Sequence, residues 1–371
     1  MPNLPEDVIF DILSRLPVVS ICRFRCVSKP WRFLFSSPLF TRAHLNRSTN
    51  NKKDEHLALS SHLNRNTNNK KHEHLALCCK RSHLYSLDFE WSPSVGEVLV
   101  KPLTKLDLDC DKIYGSCDGM LLTRICMEDE GVHYSLVNPS IGEFRRLPPS
   151  PFVLNPWSCE YGFGYDSKSD DYKVVGISHD RDSVGIVVSV YSLRTDSWKK
   201  IEKYPYYSLG TWQSGVLVSG ALHWFTETST GDVIIAFILA DETLRILPYT
   251  GSMDVELTVL GGCLCVFGGW DNDGRVDFCV MKEYGINDSW TKFTVTTSGY
   301  LHSFWKPLSL SRTGQVMFQV NYRMLVLFDL LEKNSKRVRV HGLPTNIFDG
   351  LPAYFGVETY VESLVSPNRQ W

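Results

Sequence analysis

Residues 190–201 read Val190-Tyr191-Ser192-Leu193-Arg194-Thr195-Asp196-Ser197-Trp198-Lys199-Lys200-Ile201. The β-branched and aromatic run predicts a strand, Arg194 to Ser197 a tight polar turn, and the run opened by Trp198 a second short strand. The same element returns at 236–247 (Ala236 to Leu239, then Leu244 to Leu247) and at 280–293 (Val280-Met281-Lys282, then Ser289-Trp290-Thr291-Lys292-Phe293). It returns again at 327–340 (Leu327-Phe328-Asp329-Leu330, then Arg337-Val338-Arg339-Val340) and earlier at 135–147 (Ser135-Leu136-Val137, then Phe144-Arg145-Arg146-Leu147). A looser copy joins Leu84-Tyr85-Ser86-Leu87 to Glu97-Val98-Leu99-Val100. The turns fall near 92, 140, 194, 241, 286 and 332. A spacing of about 45 to 54 residues is that of four-stranded propeller blades.

Each unit is preceded by a hairpin pattern, as at 215–225 and 310–318. The first unit is the exception. It offers Leu75-Ala76-Leu77, 84–89 and 97–100 but no opening strand, and the end of the chain holds a spare one, Thr359-Tyr360-Val361-Glu362-Ser363-Leu364. A C-terminal strand completing the first blade would close the ring and remove an open edge. The reading is an all-β, kelch-like propeller of six blades, with a seventh irregular blade as the alternative.

The first forty residues follow another period. Val8, Ile9, Ile12, Leu13 and Leu16 form an apolar stripe at helical spacing. Pro5, Glu6 and Asp7 suit a first helical turn. Leu16-Pro17 separates this helix from a second, carrying Val19, Ile21, Cys22, Phe24 and Val27, and Ser28 can cap a third bearing Trp31, Phe33 and Leu34. Three short helices are too small a unit to bury all these side chains, so some of this surface must meet either the rest of the chain or another protein.

Between the two regions lies a tandem duplication. Residues 44–61 read HLNRSTNNKKDEHLALSS and residues 62–79 read HLNRNTNNKKHEHLALCC, identical at 14 of 18 positions. The duplication explains why six of the eleven histidines fall between His44 and His83, five of them within the two copies, and it implies no ligand spacing. The second copy, running straight into the hairpin pattern after Lys80-Arg81, is expected to supply the strand at Leu75-Ala76-Leu77, leaving the first as a tolerated insertion. The division is therefore a helical module at 1–43, a basic polar linker at 44–73, a propeller at 74–366 and a tail at 367–371.

Composition bounds the function. Hydrophobic content is 43% and net charge −2, which supports a large core and argues against a nucleic-acid partner. No apolar run is long enough to span a bilayer, so no membrane partner is expected. The opening Met1-Pro2-Asn3-Leu4-Pro5-Glu6-Asp7 does not resemble a signal peptide. Eleven scattered cysteines without a Cys-x-x-Cys pair fit a reducing compartment, cytoplasm or nucleus. No catalytic set emerges. Gly115-Ser116-Cys117-Asp118-Gly119 has the outline of a nucleophile elbow but is followed by another strand, Met120-Leu121-Leu122-Thr123. Gly162-Phe163-Gly164 lacks the later glycine of a phosphate loop, Asp107, Asp109 and Asp111 lack the rest of a calcium loop, and no zinc spacing exists, so neither cofactor nor metal is expected.

With these patterns read, the N-terminal run Leu4-Pro5-Glu6-Asp7, Ile12-Leu13-Ser14-Arg15-Leu16-Pro17, Arg23-Phe24-Arg25-Cys26-Val27-Ser28-Lys29 and Trp31-Arg32 resembles a plant-type F-box. The remainder resembles the F-box-associated domain of plant F-box/kelch-like proteins. The matching stretches are Tyr114-Gly115-Ser116-Cys117-Asp118-Gly119, Asn138-Pro139-Ser140, Gly162-Phe163-Gly164-Tyr165-Asp166, Asp171-Tyr172-Lys173-Val174-Val175, Asp288-Ser289-Trp290-Thr291-Lys292 and Tyr360-Val361-Glu362-Ser363-Leu364. Pro30, where the family usually has a small polar residue, and the duplicated linker depart from the pattern.

The resemblance implies a non-catalytic substrate receptor of an SCF-type ubiquitin ligase. The helices would bind a Skp-family adaptor and through it cullin, while the propeller holds an unidentified protein target. Carried over, the adaptor face comprises Leu4, Pro5, Ile9, Ile12, Leu13, Leu16, Val27 and Trp31, with some of Phe33, Leu34, Phe35 and Phe40 packing on the propeller instead. Candidate target-binding residues sit on the longer, more varied loops: His179, Arg181, Trp212, Trp270, Trp305 and Tyr322, since aromatics and arginine dominate hot spots. The rival readings are a propeller scaffold that recruits no ligase and an enzyme on a propeller, which would need a reactive cluster at the ring's centre.

Overall fold

The structure, a computed structural model, describes residues 5–48, 72–79, 82–90, 97–99, 101–102, 109–127, 131–153, 159–179, 185–204, 208–209, 213–228, 231–247, 249, 251, 255–268, 274–296, 303–311, 314–343 and 354–369. Three helices open it: α1 (Glu6–Leu13), α2 (Val18–Phe24) and α3 (Lys29–Ser36). Pro5 and Pro17 stand at the caps of the first two. Ser28 caps the third, its hydroxyl accepting from the Trp31 amide at 3.3 Å, and Pro30 falls in the first turn, where its missing N–H is not needed.

A fourth helix, α4 (residues 38–48), was not anticipated. The Ser37-Pro38 step is its start signal: the Ser37 hydroxyl accepts from the Phe40 amide at 3.3 Å. This helix runs past residue 43 into the first repeat copy. His44, expected in a polar linker, is buried and hydrogen-bonds the Leu16 carbonyl through Nε2 at 2.9 Å, and Arg47 donates to the Asp11 carbonyl at 3.1 Å. Residues 49–71, which include the rest of the first copy, lie outside the described residues.

Six sheets follow. Blade 2 is built from Lys112–Cys117, Met120–Met127, Gly131–Asn138 and Glu143–Arg146; blade 3 from Cys159–Asp166, Asp171–His179, Ile186–Ser192 and Ser197–Tyr204. Blade 4 combines Ser208–Leu209 and Val216–Val218 with Ala221–Thr228, Gly231–Ile238 and Thr243–Leu247; blade 5 has Glu256–Leu260, Cys263–Phe267, Arg275–Met281 and Trp290–Thr296. Blade 6 has Trp305–Leu310, Gln315–Val320, Met324–Asp329 and Asn334–His341. Blade 1 is made from both ends of the propeller: Phe355–Tyr360 pairs antiparallel with His72–Cys79 (Leu77 opposite Val357), which pairs with Ser82–Glu90 and then Lys101–Pro102. The inner strands touch in sequence from blade 2 to blade 6, then blade 1, and back to blade 2, so the six-bladed ring is closed. The second repeat copy supplies the strand, as its sequence position implied.

Two details differ from expectation. The closing strand is Phe355–Tyr360, not 359–364, and residues 361–366 run on as a tether. Asn138 in blade 2 holds it: its buried Nδ2 donates to the Ser363 carbonyl at 3.1 Å and the Val365 carbonyl at 2.7 Å. Glu97–Leu99, expected as the outer strand of blade 1, instead pairs in parallel with the outer strand of blade 6 at Arg339, Val340 and His341. It covers an edge that would otherwise present open ladder groups and ties the last blade to the first.

Middle strands lie between neighbouring sheets and are buried on both faces, as Ile186–Ser192 is along almost its whole length. Two glycines allow the closest approach. Gly162 and Gly215 form an isolated bridge between the inner strands of blades 3 and 4, and a Cβ on Gly215 would lie 2.3 Å from Cζ2 of the buried Trp224. This close approach is the role of Gly162 in the Gly162-Phe163-Gly164 run. Gly215→Val should destabilise the chain by about 1–3 kcal/mol through overpacking, read as a lower urea midpoint.

Candidate adaptor and target faces

The strand order fixes two propeller faces. Turns after the first and third strands of each blade share one face; loops after the second and fourth share the other. The helical module sits on the first. Its core joins Leu13, Val18, Ile21, Phe35 and Phe40 to Leu364 of the tether, with Ile141 from a blade 2 turn packed alongside. α4 is the bridge. Phe40 meets Phe35 and Phe10 edge-on at 5.1 and 5.2 Å, Leu45 enters the core between blades 2 and 3, and Arg42 donates to Asp170 at 3.2 Å and to the Tyr165 hydroxyl. Arg369 reaches the same Asp170 at 3.2 Å. Four helices that could not bury their apolar surface alone thus bury part of it on the propeller they carry.

What remains exposed identifies the free face. Of the thirteen exposed large apolar side chains among the described residues, six lie within residues 8–39: Val8, Ile12, Val19, Val27, Phe33 and Leu39. Ile12 is 50% exposed, Val27 66% and Phe33 82%. The module thus holds nearly half of the exposed large apolar side chains among the described residues. Of the residues assigned to the adaptor, Pro5, Ile12 and Val27 are exposed, and Leu4 lies outside the described residues. Ile9, Leu16 and Trp31 are half-buried against the module core, Trp31 edge-on between Phe24 and Phe35 at 5.4 and 5.8 Å. Leu13 is a correction: at 5% exposure it belongs to the core and is not available to a partner. Phe33, one of the four weighed for packing on the propeller, is exposed, and with Val8 and Val19 it extends the free apolar set beyond the residues assigned to the adaptor.

Tyr322 alone of the target candidates is both described and exposed on the opposite face. Arg181, Trp212 and Trp270 lie outside the described residues, as does the His179 side chain at the end of its strand. Trp305 is a correction. It is fully buried, edge-on to Phe318 at 5.4 Å, because it opens an inner strand and points between blades 5 and 6. Tyr322 stands in the loop after the second strand of blade 6, exposed, with φ 56° and its ring stacked 4.9 Å from Phe304. Sequence reading missed its neighbours: the Arg323 guanidinium lies 3.9 Å over the ring of Tyr354, itself 55% exposed. At the channel mouth on this face, Lys112 pairs with Glu160 at 2.7 Å. Burial, partly offset by Lys306 and Lys112, pushes the nearby Glu256 carboxyl up.

The residues weighed for chemistry have structural roles. Asp118 and Gly119, at φ 51° and 83°, form the tight turn of a hairpin. Burial, with Asp118 adding to it, holds the Cys117 thiol protonated, which suits a core residue and not a nucleophile. Asp111 is engaged by Arg124 at 3.1 and 3.3 Å, and no cluster of metal-ligating side chains occurs among the described residues. No helix among them is long and apolar enough to cross a membrane.

Comparison with known proteins matches this division. Residues 1–43 match the F-box domain and residues 75–367 the F-box associated beta propeller domain. The chain is 32% identical to F-box protein CPR1 of Arabidopsis thaliana over 98% of its own length and 89% of that protein. It is 29% identical to F-box/kelch-repeat protein At3g23880 of the same plant, over 99% and 96%. Among solved structures, TolB from Acinetobacter baumannii is similar at a TM-score of 0.45 and 11% identity, over 78% of this chain and 65% of that one. With a helical module bound to the short-turn face of a closed six-bladed ring, and both parts matched in order, the chain belongs to the F-box proteins that carry an F-box-associated β-propeller.

Proposed function

We propose that this protein is the non-catalytic substrate receptor of an SCF-type ubiquitin ligase, binding a Skp-family adaptor, and through it cullin, with α1 to α3. It acts in the cytoplasm or nucleus, a reading supported by eleven free thiols. The observation that carries the proposal is the arrangement of the two surfaces. The exposed apolar set of the module (Pro5, Ile12, Val27, Phe33) stays free while α4 and the tether bind it to the face opposite Tyr322 and Tyr354. A target held by the loop face would be carried at a fixed separation from the adaptor, and fixed proximity is what such a receptor contributes to ubiquitin transfer.

The test is a reconstituted ligase. Proteins captured by the purified chain from plant extract should be ubiquitinated when wild-type chain, adaptor, cullin and conjugating enzyme are combined. They should not be when the chain carries Ile12→Lys and Val27→Lys. Equal ubiquitination with both would refute the proposal.

A further inference from the structure

We propose that the cleft between the helical module and the propeller is a binding site for a small organic carboxylate with an apolar body. The cleft has a volume of about 760 Å³, within the range of ligand pockets. Leu39, Leu45 and Leu364 supply apolar wall, and Arg25, Arg42 and Arg369 converge on it. Against these three cations the lining offers two acids, Glu143 and Asp170. Both are taken: Asp170 is shared by Arg42, Arg369 and Tyr165, and Glu143 accepts from Ser366.

Among the described residues no carboxylate pairs with Arg25. Its Nη2 donates to the Phe35 carbonyl at 3.1 Å, while its Nε is buried without a hydrogen-bond partner. A guanidinium with no carboxylate partner among the described residues is suited to a ligand carboxylate. The ligand that satisfies both halves of the lining places its carboxylate on Arg25 and its apolar body against the leucines. The site uses none of Pro5, Ile12, Val27 or Phe33, on which the adaptor proposal rests, and shares only Leu39 with the exposed apolar set.

The test is calorimetric titration of the full chain with 2-naphthoate, with the neutral 2-naphthamide and inorganic phosphate as controls. Expected is one saturable site for 2-naphthoate, with affinity at least about tenfold above either control, since one charge-assisted hydrogen-bond pair supplies that much. Arg25→Met should lower 2-naphthoate affinity about tenfold. Leu39 is 75% exposed at the cleft's lip, so Leu39→Asp should leave the unliganded melting temperature unchanged and weaken 2-naphthoate similarly. If Arg25→Met melts early, Leu39→Asp decides. No binding of 2-naphthoate, equal binding of either control, or indifference to Leu39→Asp would overturn the proposal.

Discussion

Replacing Ile12 and Val27 together by lysine should abolish adaptor binding while leaving the chain folded. Both side chains are at least half exposed, and surface substitutions away from the core usually shift stability by no more than about 0.5 kcal/mol. Lysine is the apt choice because Ile12 lies in the last turn of α1, which has no basic residue and where a cation favours the helix dipole. At the interface the same change buries two ammonium groups where apolar contact is required. A central apolar anchor contributes about 2 kcal/mol or more, so the pair should weaken binding by a factor of about 1,000. Calorimetric titration with a purified Skp-family adaptor reads the effect, and an unchanged melting temperature shows that folding is intact. Aspartate at Leu13 would not serve: it would place a charge in the module core among Val18, Ile21, Phe35 and Phe40, and the loss of binding would report unfolding.

The largest stability effect should come from Lys173. Its ammonium is buried between blades 3 and 4 and donates to Asp166 at 2.8 Å, Glu242 at 2.9 Å and the Leu239 carbonyl at 2.9 Å. Burial opposes the charge on Asp166, but hydrogen bonds from Lys173, Ser169 and the Lys168 amide outweigh it and hold the carboxyl below its ordinary 3.8. Glu242, opposed by burial in the same way, is held below 4.5 by Lys199 and Lys173. Lys173→Met leaves Asp166 buried without its cation and should remove about 3–5 kcal/mol at neutral pH. The sign with pH follows from the depressed carboxyls. Their contribution is complete above their unfolded values of 3.8 and 4.5 and is lost as pH falls through the lower folded values. The gap between wild type and Lys173→Met should therefore be widest at pH 7 and narrow below about pH 4, because a protonated Asp166 no longer needs the ammonium. Urea unfolding at the two pH values measures it.

Lys173 also shows what a sequence conveys and what it withholds. The Asp171-Tyr172-Lys173-Val174-Val175 run was legible as a strand and as part of a family pattern, but its lysine gains meaning only when blade 4 brings Glu242 alongside. The blades were legible because each repeats a local pattern of strand, polar turn and strand, and the missing first strand pointed to closure by the C-terminus. The register of that closure was not, since 355–360 and 359–364 alternate equally well and only Asn138, more than 200 residues away, captures Ser363 and Val365 as a tether. Trp305 looked like a hot spot because a tryptophan near a loop and one opening an inner strand have the same local sequence. In α1, Ile12 and Leu13 are adjacent and equally apolar, and the side of the helix met by Leu364 and Phe40 decides which is core and which is surface.

The proposed role requires α1 to α3 to dock a Skp-family adaptor while the propeller stays whole. Sedimentation of the full chain mixed with purified adaptor and cullin at micromolar concentration tests it most directly. The expected result is a single ternary species with one copy of each protein, absent when the chain carries Ile12→Lys and Val27→Lys. A folded wild-type chain that sediments alone, with adaptor and cullin paired without it, would contradict the claim.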